Sequence, residues 1–326
     1  MLTQPRPPPI QPKFGDNPAV GSMFRISSNP GQTLLLNLAE DYLSRGDLPS
    51  RVDFRETGLL PPVLNQGQLG SCVSNAASNG LRYLMAKEGI ASFQPSRLFL
   101  YWYARMDVVP SETHTAPPNP REDSGIYVHS VCSAITVYHS CPEPLWPYND
   151  NVDGPFSRPP DAQAQNWAHR KCEASFIPLH SNNLQDLKSA LAAGFPVLIG
   201  IQVYQQSFMQ SQNGIVTMPE QNDVAAGGHC ILVVGYDDTQ QVFIAMNSWT
   251  ADWGDQGFCY MPYQYLASPN LSYDWDALRA FAMWEEGPSA ASYNNRPANA
   301  QAASGAYFGE SNEQEPSCFQ RLCCCA

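Results

Sequence analysis

At 326 residues with 43% hydrophobic content, the chain is long enough to bury a sizeable core. A formal net charge of −12 argues against nucleic acid as a partner. No apolar run of about 18 residues is present for a membrane helix, and the start Met1-Leu-Thr-Gln-Pro-Arg-Pro-Pro-Pro does not read as a secretory signal, so an intracellular, reducing compartment such as the cytoplasm is expected.

Taken in chain order, residues 1–47 form a leader. Its first 32 residues are rich in Pro, Asn, Ser and Gly and read as extended or irregular chain, and Leu34 to Leu43 reads as a short helix ending at Gly46. From Cys72 to Glu88 the apolar positions Val73, Ala76, Ala77, Leu81, Leu84 and Met85 recur at spacings of three and four, which predicts a helix stopped by Gly89. Pro95 to Met106 and Val128 to His139 complete a helical half over about 72–170. A β-rich half over about 175–284 opens with the helix Leu184 to Ala193. Its strands are Pro196 to Tyr204, the apolar run Cys230 to Tyr236 bounded by Gly227-Gly228 and Asp237-Asp238, Val242 to Met246 reached through the turn Asp237 to Gln241, Gly257 to Met261, and Arg279 to Trp284. Residues 287–326 are dominated at first by Gly, Ser, Ala, Asn, Gln and Pro, a composition that cannot bury enough apolar surface to offset chain entropy, so a disordered tail is expected. The fold class is α+β, two lobes around one cleft.

Two distant segments carry chemistry. The first is Asn65-Gln66-Gly67-Gln68-Leu69-Gly70-Ser71-Cys72; the second is Gly228-His229-Cys230 followed by Met246-Asn247-Ser248-Trp249. A free thiol titrates near ~8.5 and needs an environment that favours its anion. A helix beginning at Cys72 supplies one, through its unpaired N–H groups and macrodipole, and an imidazolium supplies another. His229, at the start of its strand, would meet Asn247 delivered by the next strand. The Asn oxygen then fixes the ring and leaves the other nitrogen for Cys72. Trp249 would cover that bond. Gln66 would join the backbone N–H of Cys72 in stabilising a tetrahedral oxyanion. Each residue alone reads as an ordinary core or strand residue; together, in this order, they read as the parts of a cysteine peptidase.

On these motifs the chain resembles the papain (cathepsin-like) family of cysteine peptidases, whose Cys-His-Asn catalysis is a standard case. Pro49-Ser50-Arg51-Val52-Asp53-Phe54-Arg55 is similar to the family's mature start, and Gly214-Ile215-Val216, Val233-Val234-Gly235-Tyr236 and Trp253-Gly254-Asp255-Gln256-Gly257-Phe258 match further pieces, over residues 48–286. The resemblance implies a two-lobed fold with a helical lobe and a β-rich, barrel-like lobe. It implies Cys72 as nucleophile, His229 as general base then acid, Asn247 as orienting residue and Gln66 as oxyanion donor. Ser124-Gly125 corresponds to the backbone segment that pairs with an extended substrate, with Gly228, Cys230 and Trp249 as further lining. Leu69 stands where the family has a disulfide-forming cysteine, Val73 replaces the usual Trp, and Thr250 replaces the usual Gly.

The implied function is peptide-bond hydrolysis through a Cys72 thioester, as an endopeptidase kept latent by residues 1–47 acting as a propeptide. Alternatives are acyl transfer to an amine on the same triad, or a catalytically silent peptide-binding protein. No cofactor and no metal are expected, since no second Cys/His pair lies at ligand spacing. The expected partner is a peptide or protein substrate, met by a monomer. Of ten cysteines, Cys72, Cys132, Cys141, Cys172, Cys230 and Cys259 fall in the enzymatic part and are read as thiols, while Cys318, Cys323, Cys324 and Cys325 crowd the end. That Cys-rich terminus is read first as a plain thiol tail, with membrane anchoring by prenylation or S-acylation as the alternative.

Overall fold

The computed structural model describes residues 48–89, 92–106, 119–151, 154–171 and 173–282. The leader with its helix at Leu34 to Leu43, Cys172 and the Cys-ended tail lie outside the described residues. The helices are α1 (Cys72–Lys87), α2 (Arg97–Met106), α3 (Val128–Tyr138), α4 (Ala162–Lys171), α5 (Leu184–Ala192) and α6 (Tyr263–Ala267). The strands are β1 (Arg51–Asp53), β2 (Glu173–Pro178), β3 (Val197–Tyr204), β4 (Ala225–Asp237), β5 (Val242–Met246), β6 (Phe258–Pro262) and β7 (Ser272–Ala282). All pair antiparallel in one seven-stranded sheet of order β2-β7-β3-β4-β5-β6, with β1 added on β4. This is the α+β, two-lobed arrangement expected, helices α1 to α4 lying between β1 and the other six strands in sequence.

The helix α1 lies between the two halves, packed on α2 and α3 on one side and on β4 and β7 on the other. It is buried almost all round, which explains its polar residues: a buried hydroxyl or amide must be bonded. Ser78 Oγ donates to the Pro95 carbonyl (2.5 Å) and Asn75 Nδ2 to the Ser71 carbonyl (2.9 Å). Gly80 sits mid-helix because a Cβ there would lie 2.1 Å from Leu278 Cδ1 on β7. The helix ends as expected, with Gly89 in the left-handed region at φ 66°.

The segment before α1 clips the halves together. Phe54 stacks on Tyr83 of α1 with ring centroids 4.9 Å apart. Arg55 beside it bonds Asp53 (2.7 Å) and the Tyr260 hydroxyl of β6 (3.0 Å).

Two strand boundaries differ from the sequence expectation. His229 is not at the start of its strand: β4 begins at Ala225, and Ala225 to Gly228 pair with Tyr204 to Gln202 of β3. The glycines read as a boundary are instead absorbed inside the strand, where Gly227 at φ 125° accompanies a register shift against Val203/Tyr204. Likewise β7 starts at Ser272 rather than Arg279, because Ser272 to Ala277 pair with β3 despite their polar residues. The helices α4 and α6 and the strand β2 were not read from the sequence; each is short and weakly periodic.

Candidate active site

Four of the residues singled out in the sequence converge where the N-terminus of α1 meets β4, β5 and the loop after β5. Cys72 is the first residue of α1, after Ser71, and the first turn carries no carboxylate to oppose an anion at the helix N-terminus. On a helix, residues three and four apart share a face. Cys72, Asn75, Ala76 and Asn79 are so spaced, and the last three line a narrow crevice against Cys230, Leu232, Met246, Asn247 and Ser248. Cys72 therefore stands on the face of α1 whose next turns pack against β4, β5 and the loop after β5.

His229, mid-strand in β4 opposite Ile201, has its Nε2 2.7 Å from Asn247 Oδ1. An amide oxygen only accepts, so Nε2 carries the proton in that bond. The same Asn247 oxygen accepts the Ser248 backbone N–H at 2.8 Å, which pins the amide against flipping. Around the imidazole stand three aromatic rings. Trp249 lies 4.7 Å away at a tilt of 30°, Phe208 6.1 Å away edge-on, and Trp253 packs against both of these. Trp249 thus packs on the His229 ring whose Nε2 bonds Asn247. Phe208 was missed: it comes from a π-helical turn, Gln205–Met209, that follows β3 and leaves no mark in the sequence.

Gln66 is stitched to the residue after Asn247. Its backbone N–H donates to the Ser248 carbonyl (2.9 Å), and Thr250 N–H returns a bond to the Leu64 carbonyl (3.2 Å). Ser248 Oγ donates to Gln66 Oε1 at 2.5 Å, which fixes the amide so that Nε2 donates to the Leu69 carbonyl at 3.0 Å. The two sequence segments, 182 residues apart at that contact, therefore form one main-chain and side-chain unit. Thr250, where the family has Gly, adopts φ 68°, a left-handed conformation costly for a β-branched residue. Cys72, Gln66 and His229 are each 0% exposed, so nothing the size of a peptide meets the thiol without movement.

The substrate-lining candidates fare unevenly. Ser124 N–H donates to the Glu122 carbonyl (3.0 Å) and Gly125 N–H to the Tyr101 hydroxyl (3.0 Å), so both N–H groups have acceptors within the protein. Gly228 lies buried within β4, in register with Gln202 of β3. Cys230 is buried, lining the crevice behind Asn247 with its thiol donating to the Ile231 carbonyl.

Among the described residues Cys72, Cys132, Cys141, Cys230 and Cys259 are all free and buried. Burial pushes the Cys141 thiol up to about 12 and the Cys132 and Cys259 thiols upward as well. These are inert core thiols, in contrast to a cysteine at a helix N-terminus.

Comparison with known proteins gives a consistent result. The model of the papain family cysteine proteases matches residues 123–269, a span that holds His229 and Asn247 but begins after Gln66 and Cys72. An uncharacterized peptidase C1-like protein of Acanthamoeba polyphaga mimivirus is 31% identical over 233 residues, 68% of this chain and 72% of that protein. A cathepsin L-like peptidase of Aedes aegypti is 26% identical over 227 residues, 66% of this chain, and the match spans 59% of that protein. Among solved structures, xylellain, a cysteine protease from Xylella fastidiosa, superposes with a TM-score of 0.65 at 28% identity, covering 82% of this chain and 96% of that one. A digestive procathepsin L 3 of Tenebrio molitor larval midgut shares the fold at a TM-score of 0.54 and 22% identity, covering 72% of this chain and 71% of that one.

Proposed function

Because the chain belongs to the papain family of cysteine peptidases, we propose that it hydrolyses peptide bonds with Cys72 as nucleophile, His229 as general base then acid, Asn247 as orienting residue and Gln66 as oxyanion donor. The observation that carries the reading is the His229 Nε2 to Asn247 Oδ1 bond of 2.7 Å beside a cysteine at the N-terminus of α1.

His229 Nδ1 takes the Cys72 proton, and the thiolate attacks the scissile carbonyl carbon. The carbonyl oxygen becomes an oxyanion, met by the Cys72 backbone N–H and by the Gln66 side-chain NH2. The imidazolium then protonates the leaving amine and the C–N bond breaks, leaving a thioester. Water, deprotonated by His229, attacks that thioester, and the acid is released with the thiol restored. Trp249, Phe208 and Trp253 keep bulk water from the His229–Asn247 bond.

Endopeptidase action and latency belong to the same proposal. The complete burial of Cys72, His229 and Gln66 supports latency, residues 1–47 being the restraining segment; a peptide or protein is the substrate. The free thiols at the five described cysteines support a reducing compartment.

The test is labelling with an epoxide thiol inhibitor and mass mapping, on the full chain and on a chain starting at Leu48. Labelling at Cys72 in both, faster without residues 1–47, and abolished peptide hydrolysis in Cys72→Ala are expected. Hydrolysis that survives Cys72→Ala would overturn the assignment, and no labelling in either chain would favour a silent peptide binder.

A further inference from the structure

The loop that delivers Cys72 is held from outside its own helix. Gly70, two residues before the nucleophile, donates its N–H to both oxygens of the Asp123 carboxylate, at 3.0 and 3.1 Å. The Tyr101 hydroxyl donates to the same carboxylate and accepts the Gly125 N–H at 3.0 Å. Tyr101 is fully buried in α2, with the buried Arg105 guanidinium carbon 3.9 Å from its ring centroid. Arg105 in turn donates to the Tyr101 carbonyl (3.0 Å), the Glu122 carbonyl (2.6 Å) and the Phe156 carbonyl (2.6 Å). Residues 122, 123 and 125 are therefore all fixed to α2, and through Asp123 so is Gly70.

From this geometry we infer that Asp123 is a positioning residue for the reaction, its carboxylate tying the loop of the Cys72 nucleophile to the wall segment 122–125 through Tyr101. The inference rests on the proposed role of Cys72.

Gly70 lies in a loop with no regular hydrogen-bond ladder, so its position depends on side-chain acceptors. A carboxylate receiving a backbone N–H and a phenol O–H is a charge-assisted site, stronger than a neutral one, and the partners on its other side belong to a buried helix. Freed of it, the Gly70-Ser71 link can shift Cys72 relative to His229. A shift of about 1 Å costs up to ~100-fold in rate. The loop has other anchors on either side: Gln66 Nε2 donates to the Leu69 carbonyl (3.0 Å), the Ser71 hydroxyl pairs with the Tyr148 hydroxyl (2.6 Å), and Asp150 accepts the Gln68 N–H (3.2 Å). None of these bonds is to Gly70, whose N–H is held by Asp123.

The experiment compares the full-length protein with its Asp123→Asn and Tyr101→Phe variants. It reads the rate of Cys72 alkylation by iodoacetamide, mapped by mass, together with kcat and KM on a peptide. Positioning predicts about a tenfold slower Cys72 alkylation and a tenfold lower kcat in both variants, with KM little changed. Cys141 and Cys259, buried thiols far along the chain, stay unlabelled. A merely structural role would instead expose Cys141 and Cys259, and slowing at Cys72 accompanied by their labelling overturns the inference. So does wild-type reactivity of Cys72 in both variants. A wild-type protein whose Cys72 reacts neither in the full chain nor in a chain starting at Leu48 overturns the proposed function, and this inference with it.

Discussion

Ser248 and Gln66 illustrate how much of the site is decided by single hydrogen bonds. The oxyanion-donor role proposed for Gln66 requires its nitrogen, not its oxygen, to face the reacting carbonyl, and Ser248 Oγ donating to Oε1 fixes the amide's orientation. Gln66→Ala should lower kcat by about 100- to 1000-fold, the cost of one oxyanion donor. Ser248→Ala leaves the amide in place and removes only its orienting bond, so a smaller loss, on the order of tenfold, is expected. Steady-state kinetics on one peptide checks the order; a larger loss for Ser248→Ala would mean that Ser248 acts on catalysis directly. Asn247 has a parallel feature, since its Oδ1 serves both His229 and the Ser248 N–H while its Nδ2 is buried with no partner. The oxygen, facing the imidazole, is the atom the proposed mechanism uses.

At the scale of elements, the site depends on short additions to β4 as much as on β4 itself. The strand β1 pairs with it through Arg51, Val52 and Asp53 opposite Asp237, Tyr236 and Gly235. The approach at the last pair is so close that a Cβ on Gly235 would lie 2.3 Å from the Val52 carbonyl oxygen. That neighbour is backbone and cannot rotate away, so Gly235→Ala should destabilise by about 1–3 kcal/mol through displacement of β1. The midpoint of urea unfolding on the Cys72→Ala background, which prevents autolysis, reads this. An unchanged midpoint would mean that β1 does not hold β4 in this register. The hairpin between β4 and β5 is better protected: Asp237 Oδ1 accepts the Thr239 and Gln240 N–H groups at 2.8 and 3.1 Å, fixing the turn that brings Asn247 back beside His229.

For the molecule as a whole, pH acts through Asp276 of β7, a carboxylate buried against Cys132 of α3 where the two halves meet. Burial, and then the charge of Asp274, push its pKa up to about 7. An acid whose folded pKa lies above its unfolded value of about 3.9 contributes stability below that value and loses it as pH rises through about 7. Asp223 and Asp238, held low by hydrogen bonds from Gln206 and Ser207 and from Lys188 and Tyr263, act in the opposite sense at acid pH. The informative quantity is therefore a difference. On the Cys72→Ala background, Asp276→Asn should raise Tm relative to its parent at pH 8 and lose that advantage toward pH 4. A pH-independent difference would contradict a protonated Asp276. As for what could be read beforehand, the chain alone carried Cys72, Gln66, His229 and Asn247, because each chemistry needs a particular side chain and its near neighbours are local: a helix start for the thiol, a strand for the imidazole. It carried α1 and the β4–β5 hairpin for the same reason, since periodicity and turn residues act over a few positions. It did not carry the extension of β4 through Gly227 and Gly228 or of β7 through Ser272 to Ala277, which are strands only because β3 lies between them. Phe208 over His229, Ser248 on Gln66 and Asp123 on Gly70 were equally hidden. Those contacts join residues 21, 182 and 53 positions apart, and only tertiary packing brings such pairs together.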